Sequence, residues 1–190
     1  MDIVKRVEGI LLRPQEEWVR IKAEPTTIAQ LFRSYILILA AIPAVFQLLE
    51  RVLIERLPMV GHWPWGRALI SAAVSYVLDL ATIYIFALVI DELAPTFASG
   101  KNMTSALRLA AYSTTPVWLA GVFNIIPRFW APSIIASLYG FFLLYLGFDA
   151  PLMGTPKKRV FGYAALAIVA IIVINFVSWL IKAAFAVRAM

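Results

Sequence analysis

The chain has 190 residues and a net charge of +6, and 62% of its residues are hydrophobic while only 15% are charged. A water-soluble domain needs a polar shell that this composition does not supply, so lipid must be the solvent for most of the surface. There is no cysteine, which excludes disulfides and thiolate metal sites, and one histidine, His62, which excludes a multi-histidine metal site. His62 lies in a stretch of turn and interface residues, which argues against a Ser/His relay. We therefore expect no metal, no cofactor and no enzymatic activity.

Residues 1–26 predict amphipathic helices that lie at the membrane surface. Pro14 suits the first position of a second short helix, which Pro25 ends. A flexible charged tail is the alternative, but the apolar stripe of the first helix is too regular for one. The stripe comprises Ile3, Val4, Val7, Ile10 and Leu11.

Residues 27–190 predict an all-α membrane protein, a bundle of five transmembrane helices. Each apolar stretch approaches the ~20 residues that a bilayer requires. Thr27 and Gln30 form a capping box before the first stretch, and residues 58–65 and the Pro127 to Pro132 turn separate later ones. The predicted spans are 31–54, 68–90, 104–126, 132–148 and 161–184, with bends at Pro43 and Pro116.

The basic residues predict the orientation. With the N-terminus inside and the C-terminus outside, eleven of the 17 Lys and Arg residues lie on the cytoplasmic side and six on the other. The positive charge then indicates attraction to anionic lipid rather than nucleic acid binding. The side chains expected to contact anionic lipid are Lys5, Arg6, Lys157, Lys158 and Arg159.

The second span carries a polar stripe. Ser71, Ser75, Asp79 and Thr82 recur at steps of four, four and three, so they share one helix face. A carboxylate near the bilayer centre is costly, which makes Asp79 a candidate contact for a proton, a cation or a polar substrate. The alternative is a hydrogen bond or ion pair between helices that only specifies packing.

The third span carries a similar stripe, Ser105, Arg108, Tyr112 and Thr115. Arg108 lies at about the depth of Asp91 and Glu92 at the end of the second span. We expect an ion pair there that closes the loop between the two spans, with a substrate clamp as the alternative.

Several short motifs carry a resemblance to a known family. They are Asp91-Glu92-Leu93-Ala94-Pro95, Lys101-Asn102, the set Ala110, Tyr112, Ser113, Thr115 and Pro116, then Leu138-Tyr139-Gly140 and Gly162-Tyr163, preceded by Arg13, Pro14, Glu17, Trp18 and Ile21. With them the chain resembles the prokaryotic branch of the Yip1 family over nearly its whole length. Of the family's Asp-Leu-Tyr-Gly-Pro motif it keeps the middle three residues, with Ser137 and Phe141 in place of the acid and the proline.

The resemblance implies a five-span protein of the prokaryotic inner membrane with a cytoplasmic N-terminus. Its eukaryotic relatives act in membrane traffic and associate with Rab-type GTPases and with one another. The leading hypothesis is a non-enzymatic scaffold or adaptor that organises the membrane, binding anionic lipid and either a second copy or other membrane proteins. The alternative is a small transporter or ion-conducting protein with a polar path between spans two and three.

Overall fold

The computed structural model describes residues 2–54, 65–126, 129–149 and 152–188, and this part of the chain folds into helices joined by short turns. The predicted anchor residues 58–64, His62 included, and the predicted turn residue Pro127 lie outside the described residues. The helices are α1 (Ile3–Leu12), α2 (Pro14–Ala23), α3 (Ile28–Leu31), α4 (Leu37–Ile54), α5 (Trp65–Leu93), α6 (Met103–Ala120), α7 (Ala131–Asp149) and α8 (Lys157–Arg188). A π-helical segment, Phe32–Ile36, joins α3 to α4.

Local sequence determines where several of these helices begin. The carboxylate of Asp2 accepts hydrogen bonds from the backbone N–H groups of Val4 and Lys5 at the start of α1. Pro14 occupies the first turn of α2, as predicted. The hydroxyl of Thr27 accepts from the N–H of Gln30 at 3.2 Å, which confirms the predicted cap.

Four helical stretches of the described chain have the length and apolar composition of membrane spans: Ile28–Arg51, Gly66–Phe97, Ala131–Asp149 and Lys157–Phe185. They match the first, second, fourth and fifth predicted spans and differ mainly at their ends. The predicted third span, 104–126, contains α6 and the 3₁₀ turn Gly121–Ile125. This segment is not among the four, because α6 carries Arg108 and many hydroxyl groups.

The polar helix α6 lies at the centre of the bundle. It packs against α4, α5 and α7, and most of its side chains are buried. In contrast, α8 packs against α5 and α7 and exposes large apolar side chains such as Phe161, Val173 and Phe176. Lipid can cover the apolar surface of α8, whereas α6 needs protein around its polar groups.

Two glycines let helices approach closely. A Cβ atom at Gly140 of α7 would lie 2.8 Å from the backbone oxygen of Ser113 in α6, and one at Gly121 would lie 2.7 Å from Pro43 in α4. Contacts this short leave no room for a methyl group, so small residues are required where α6 meets its neighbours.

We predict that Gly140→Ala lowers the melting temperature of the protein in detergent. Alanine favours a helix over glycine by ~1 kcal/mol, but the clash with the Ser113 carbonyl outweighs that gain because the backbone must shift, at a cost of about 1–3 kcal/mol. Gly66→Ala is the matched control, since a Cβ there meets nothing within 4 Å. An unchanged or raised melting temperature for Gly140→Ala would show that α6 and α7 are not in close contact.

Candidate functional site: an intramembrane cavity and a clamped N-terminal segment

A cavity of about 410 Å³ lies between α5, α6, α7 and α8. The predicted residues Asp79 and Thr82 line it from α5, and Ser113 and Thr114 line it from α6. The remaining polar lining residues are Asn124, Ser133, Ser137 and Asn175. Hydroxyl, amide and carboxylate groups thus converge inside a bundle whose outer surface is apolar.

Asp79 forms an ion pair across this region. The Lys182 ammonium on α8 donates to Asp79 Oδ1 at 2.8 Å, and the two side chains are 32% and 26% exposed respectively. About one helical turn along, Thr82 Oγ1 and Ser178 Oγ lie 2.8 Å apart. Asp79 therefore joins two helices and also lines a cavity. Ser75 of the same stripe is buried but is not part of the cavity wall.

The predicted stripe on α6 forms a different cluster. Thr115 Oγ1 and the Tyr35 hydroxyl lie 2.7 Å apart, and the ring of Tyr35 meets that of Tyr112 edge to face at 4.8 Å. Trp18 of α2 also meets Tyr112 edge to face, with ring centres 6.1 Å apart. Tyr112 and Thr115 thus hold α6 against the first span and the N-terminal helices, and neither lines the cavity beside Asp79.

Arg108 clamps the N-terminal segment to the bundle. Its guanidinium donates to the backbone oxygens of Ile21 at 3.2 Å and of Glu24 and Thr26 at 2.9 Å each. These carbonyls belong to the end of α2 and the residues after it, where helix geometry leaves oxygens without an internal donor and the helix dipole is negative. The two terminal nitrogens of Arg108 therefore supply donors to carbonyls that the helix leaves without them.

The predicted ion pair between Arg108 and Asp91 or Glu92 is wrong for the described residues. Glu92 instead accepts from Lys101 at 2.6 Å on the surface, and this hydrogen bond and the nearby negative charge raise the pKa of Lys101. Asp91 is buried at the end of α5. Three carbonyls at and after the end of α2 accept from Arg108 in place of the predicted carboxylate.

Arg6 is not the lipid contact that the sequence predicted. It is 5% exposed and bridges the carboxylates of Glu17 and Glu24, with its guanidinium 5.7 Å from the centre of the Tyr112 ring. Burial opposes the charged form, but the hydrogen bond to Glu24 and the surrounding negative charge raise the pKa of Arg6 overall. Arg6 is thus a structural cation. Of the other predicted contacts, Lys5, Lys157, Lys158 and Arg159 are exposed.

The residues of the predicted family motif join helices. The Tyr139 hydroxyl donates to the backbone oxygen of Leu11 at 2.7 Å, and the Tyr163 hydroxyl donates to that of Ile90. The Tyr163 ring stacks on Phe97 at 4.7 Å, close to Gly162, where a Cβ would lie 3.3 Å from the Phe97 ring. Leu138 is exposed, whereas Gly140 is the close contact described above.

A family model for the Yip1 domain matches residues 9–178. The chain belongs to the Yip1 family. Two relatives are the inner membrane protein YohC of Escherichia coli strain K12 and of the O6:H1 strain CFT073, each 26% identical over 152 residues that cover 76% of this chain and 77% of YohC. No solved structure matches the chain. Together with its apolar helices, this makes the chain a multi-pass inner membrane protein.

Sequence reasoning missed Lys182 as the partner of Asp79 and missed Ser113, Thr114 and Ser137 as cavity residues. Lys182 lies four residues after Ser178 in an otherwise apolar span, so the two share a helix face in the same way as Asp79 and Thr82. That matching spacing was the signal that could have found the pair. The serines gave no such signal, because hydroxyl groups in a membrane helix bond readily to their own backbone.

We predict that Arg108→Met releases the N-terminal segment. Three hydrogen bonds to a charged donor are lost, each worth ~1.5–3 kcal/mol, so amide hydrogen exchange in residues 14–27 should rise by at least about tenfold. Arg33→Met, at an exposed position in the first span, is the control and should leave this exchange unchanged. Equal exchange in both variants would mean that Arg108 does not hold the segment.

Proposed function

We propose that this Yip1 family member is a non-enzymatic membrane-organising scaffold with five spans and a cytoplasmic N-terminus. The observation that carries the proposal is the clamp at Arg108, which fixes the charged N-terminal segment to the bundle. A fixed segment can present its charges to lipid or to a partner protein as one surface. The motif tyrosines and Gly140 support the same role, because they hold helices together.

Contacts between loops support the count of five spans. The N–H of Gly100 donates to the carbonyl of Met153, and Ser99 Oγ bonds to Thr155 Oγ1, so the turn after α5 and the turn before α8 lie at the same end of the bundle. Helix α7 leads the chain to that end. If α7 crosses the bilayer, then α6 must cross it in the opposite direction.

Exposed cations cluster at this end of the bundle, where the turns after α5 and before α8 meet. The N-terminal segment lies at this end because it is held by Arg108, near the start of α6. Arg159 donates to the carbonyl of Thr96 at the same end at 3.0 Å. We name this surface the basic end, and its exposed cations are Lys5, Arg20, Lys22, Lys101, Lys157, Lys158 and Arg159. Of this set, Lys5, Arg20 and Lys101 pair with Asp2, Glu17 and Glu92. Each of the others attracts anionic lipid beside the cytoplasmic leaflet by ~1 kcal/mol, which supports a role for the basic end in collecting such lipid around the protein.

We predict that the protein in vesicles enriches labelled phosphatidylglycerol over labelled phosphatidylcholine, as measured by energy transfer from its tryptophans. The double variant Lys157→Gln and Lys158→Gln should weaken this preference by roughly fivefold for each charge removed, and salt should weaken it further. Arg67→Gln, exposed near the other end of α5, is the control. An equal loss in the control, or no preference in the native protein, would contradict the proposal.

A second candidate function is the transport of a small polar solute. The observation that favours it is the cavity beside Asp79, because polar side chains inside a membrane bundle are costly unless they meet water, a ligand or one another. The cavity adjoins a second one of about 280 Å³, which shares Asn124 and Ser133 with it and is also lined by Glu50. The two together extend the polar lining from Asp79 towards the end of the bundle away from the basic end.

A further inference from the structure

We propose that the cavity beside Asp79 binds an organic ammonium compound, which replaces the Lys182 ammonium on the Asp79 carboxylate. This inference deepens the second candidate function. It shares with that function one requirement, that the cavity can be reached from one side of the membrane. It concerns binding, and it holds whether or not the ligand is then released on the other side.

Three hydroxyl groups and one amide N–H of the cavity already donate to the backbone of their own helices. Ser113 Oγ donates to Leu109 O at 2.7 Å, Thr114 Oγ1 to Ala110 O at 2.8 Å and Ser137 Oγ to Ser133 O at 2.7 Å. Asn175 Nδ2 likewise donates to the carbonyl of Ile171 at 2.9 Å. What these groups still offer a ligand is acceptor oxygen, since each hydroxyl keeps lone pairs and the amide keeps its Oδ1. Such a site favours a ligand rich in N–H donors.

The charge of the cavity selects a cation. Asp79 is the one ionisable side chain among the described residues that line it, and the present partner of Asp79 is an alkylammonium group. The adjoining cavity adds the carboxylate of Glu50. Lys182 is not among the described lining residues, so an anion in the cavity would meet acceptor oxygens and the Asp79 carboxylate first.

Size and walls favour an organic cation over a bare metal ion. A volume of about 410 Å³ exceeds what one ion fills, and the aromatic side chains Phe86, Trp118 and Phe141 line it. Aromatic faces attract ammonium groups and cover their alkyl part. The ligand thus resembles the lysine side chain that it displaces.

The position of Lys182 allows its ammonium group to leave the Asp79 carboxylate. It lies near the end of α8, which finishes at Arg188, and a flexible lysine stem near a helix end can carry its ammonium to the membrane surface. Both side chains of the ion pair are also partly exposed. Ligand and Lys182 therefore compete for one carboxylate.

The test is a titration of the purified full chain with n-butylammonium chloride, followed by thermal unfolding, since a ligand of the native state raises the melting temperature with its concentration. The native protein should be stabilised in a saturable way. Lys182→Met, which removes the competitor, should bind at least about tenfold more tightly and should recover the stability that it loses. Sodium chloride and n-butanol control for ionic strength and for the alkyl chain, and Lys157→Met controls for the loss of a lysine elsewhere.

Asp79→Asn should abolish the stabilisation. If that variant does not fold, the double variant Asp79→Asn with Lys182→Met serves in its place, because it leaves no unpaired charge, and it too should not respond. Stabilisation that persists without Asp79, or an affinity that Lys182→Met leaves unchanged, would overturn the inference. Flux of butylammonium in vesicles is measured separately: binding without flux refutes transport and keeps this site, whereas no binding refutes the site.

Discussion

The structure depends on the shielding of one polar helix inside an apolar bundle. Helix α6 brings a guanidinium and several hydroxyl groups into a protein whose other long helices suit lipid. An arginine facing hydrocarbon is unfavourable by at least about 2.5 kcal/mol, so α6 must be enclosed. Four other elements do this: α4, α5 and α7 pack around it, and the N-terminal segment covers Arg108.

This constraint explains why the N-terminal helices are part of the bundle. Ile10, Trp18 and Ile21 are buried, and Trp18 lies against Gly147, where a Cβ would be 2.9 Å from its ring. Two charges of the segment are buried as well, because Arg6 pairs with the buried Glu17 and with the half-exposed Glu24. The exposed lysines and arginines that remain form the basic end. This surface therefore depends on which charges of the segment are buried and paired.

Much of the fold could be predicted because it rests on local rules. The Thr27 cap, the helix that starts at Pro14 and the four strongly apolar spans each depend on neighbouring residues. The partners of Arg6 and Arg108 could not be predicted in this way. A helical wheel shows that Arg6 lies off the apolar face, but it does not show that Glu17 and Glu24 of another segment cover that face. Arg108 bonds to backbone carbonyls, which no side-chain pattern reports.

The candidate site was half predictable for the same reason. Asp79 was recognisable as a carboxylate in an apolar run. The cavity, in contrast, forms where four helices meet, so the sequence of any one helix does not indicate it. The family match adds support for the architecture. The clamp at Arg108 lies at the basic end, and the polar cavity lies towards the other end.

Whether α6 crosses the membrane is the most direct test of the five-span bundle. The chain contains no cysteine, so single cysteines at Lys101 and Ala131, exposed positions before α6 and at the start of α7, can be labelled with an impermeant maleimide on intact spheroplasts. We expect the cysteine at 131 to react from outside and the cysteine at 101 to react only after permeabilisation. Labelling of both from the same side would mean that α6 does not cross, and would contradict the five-span bundle.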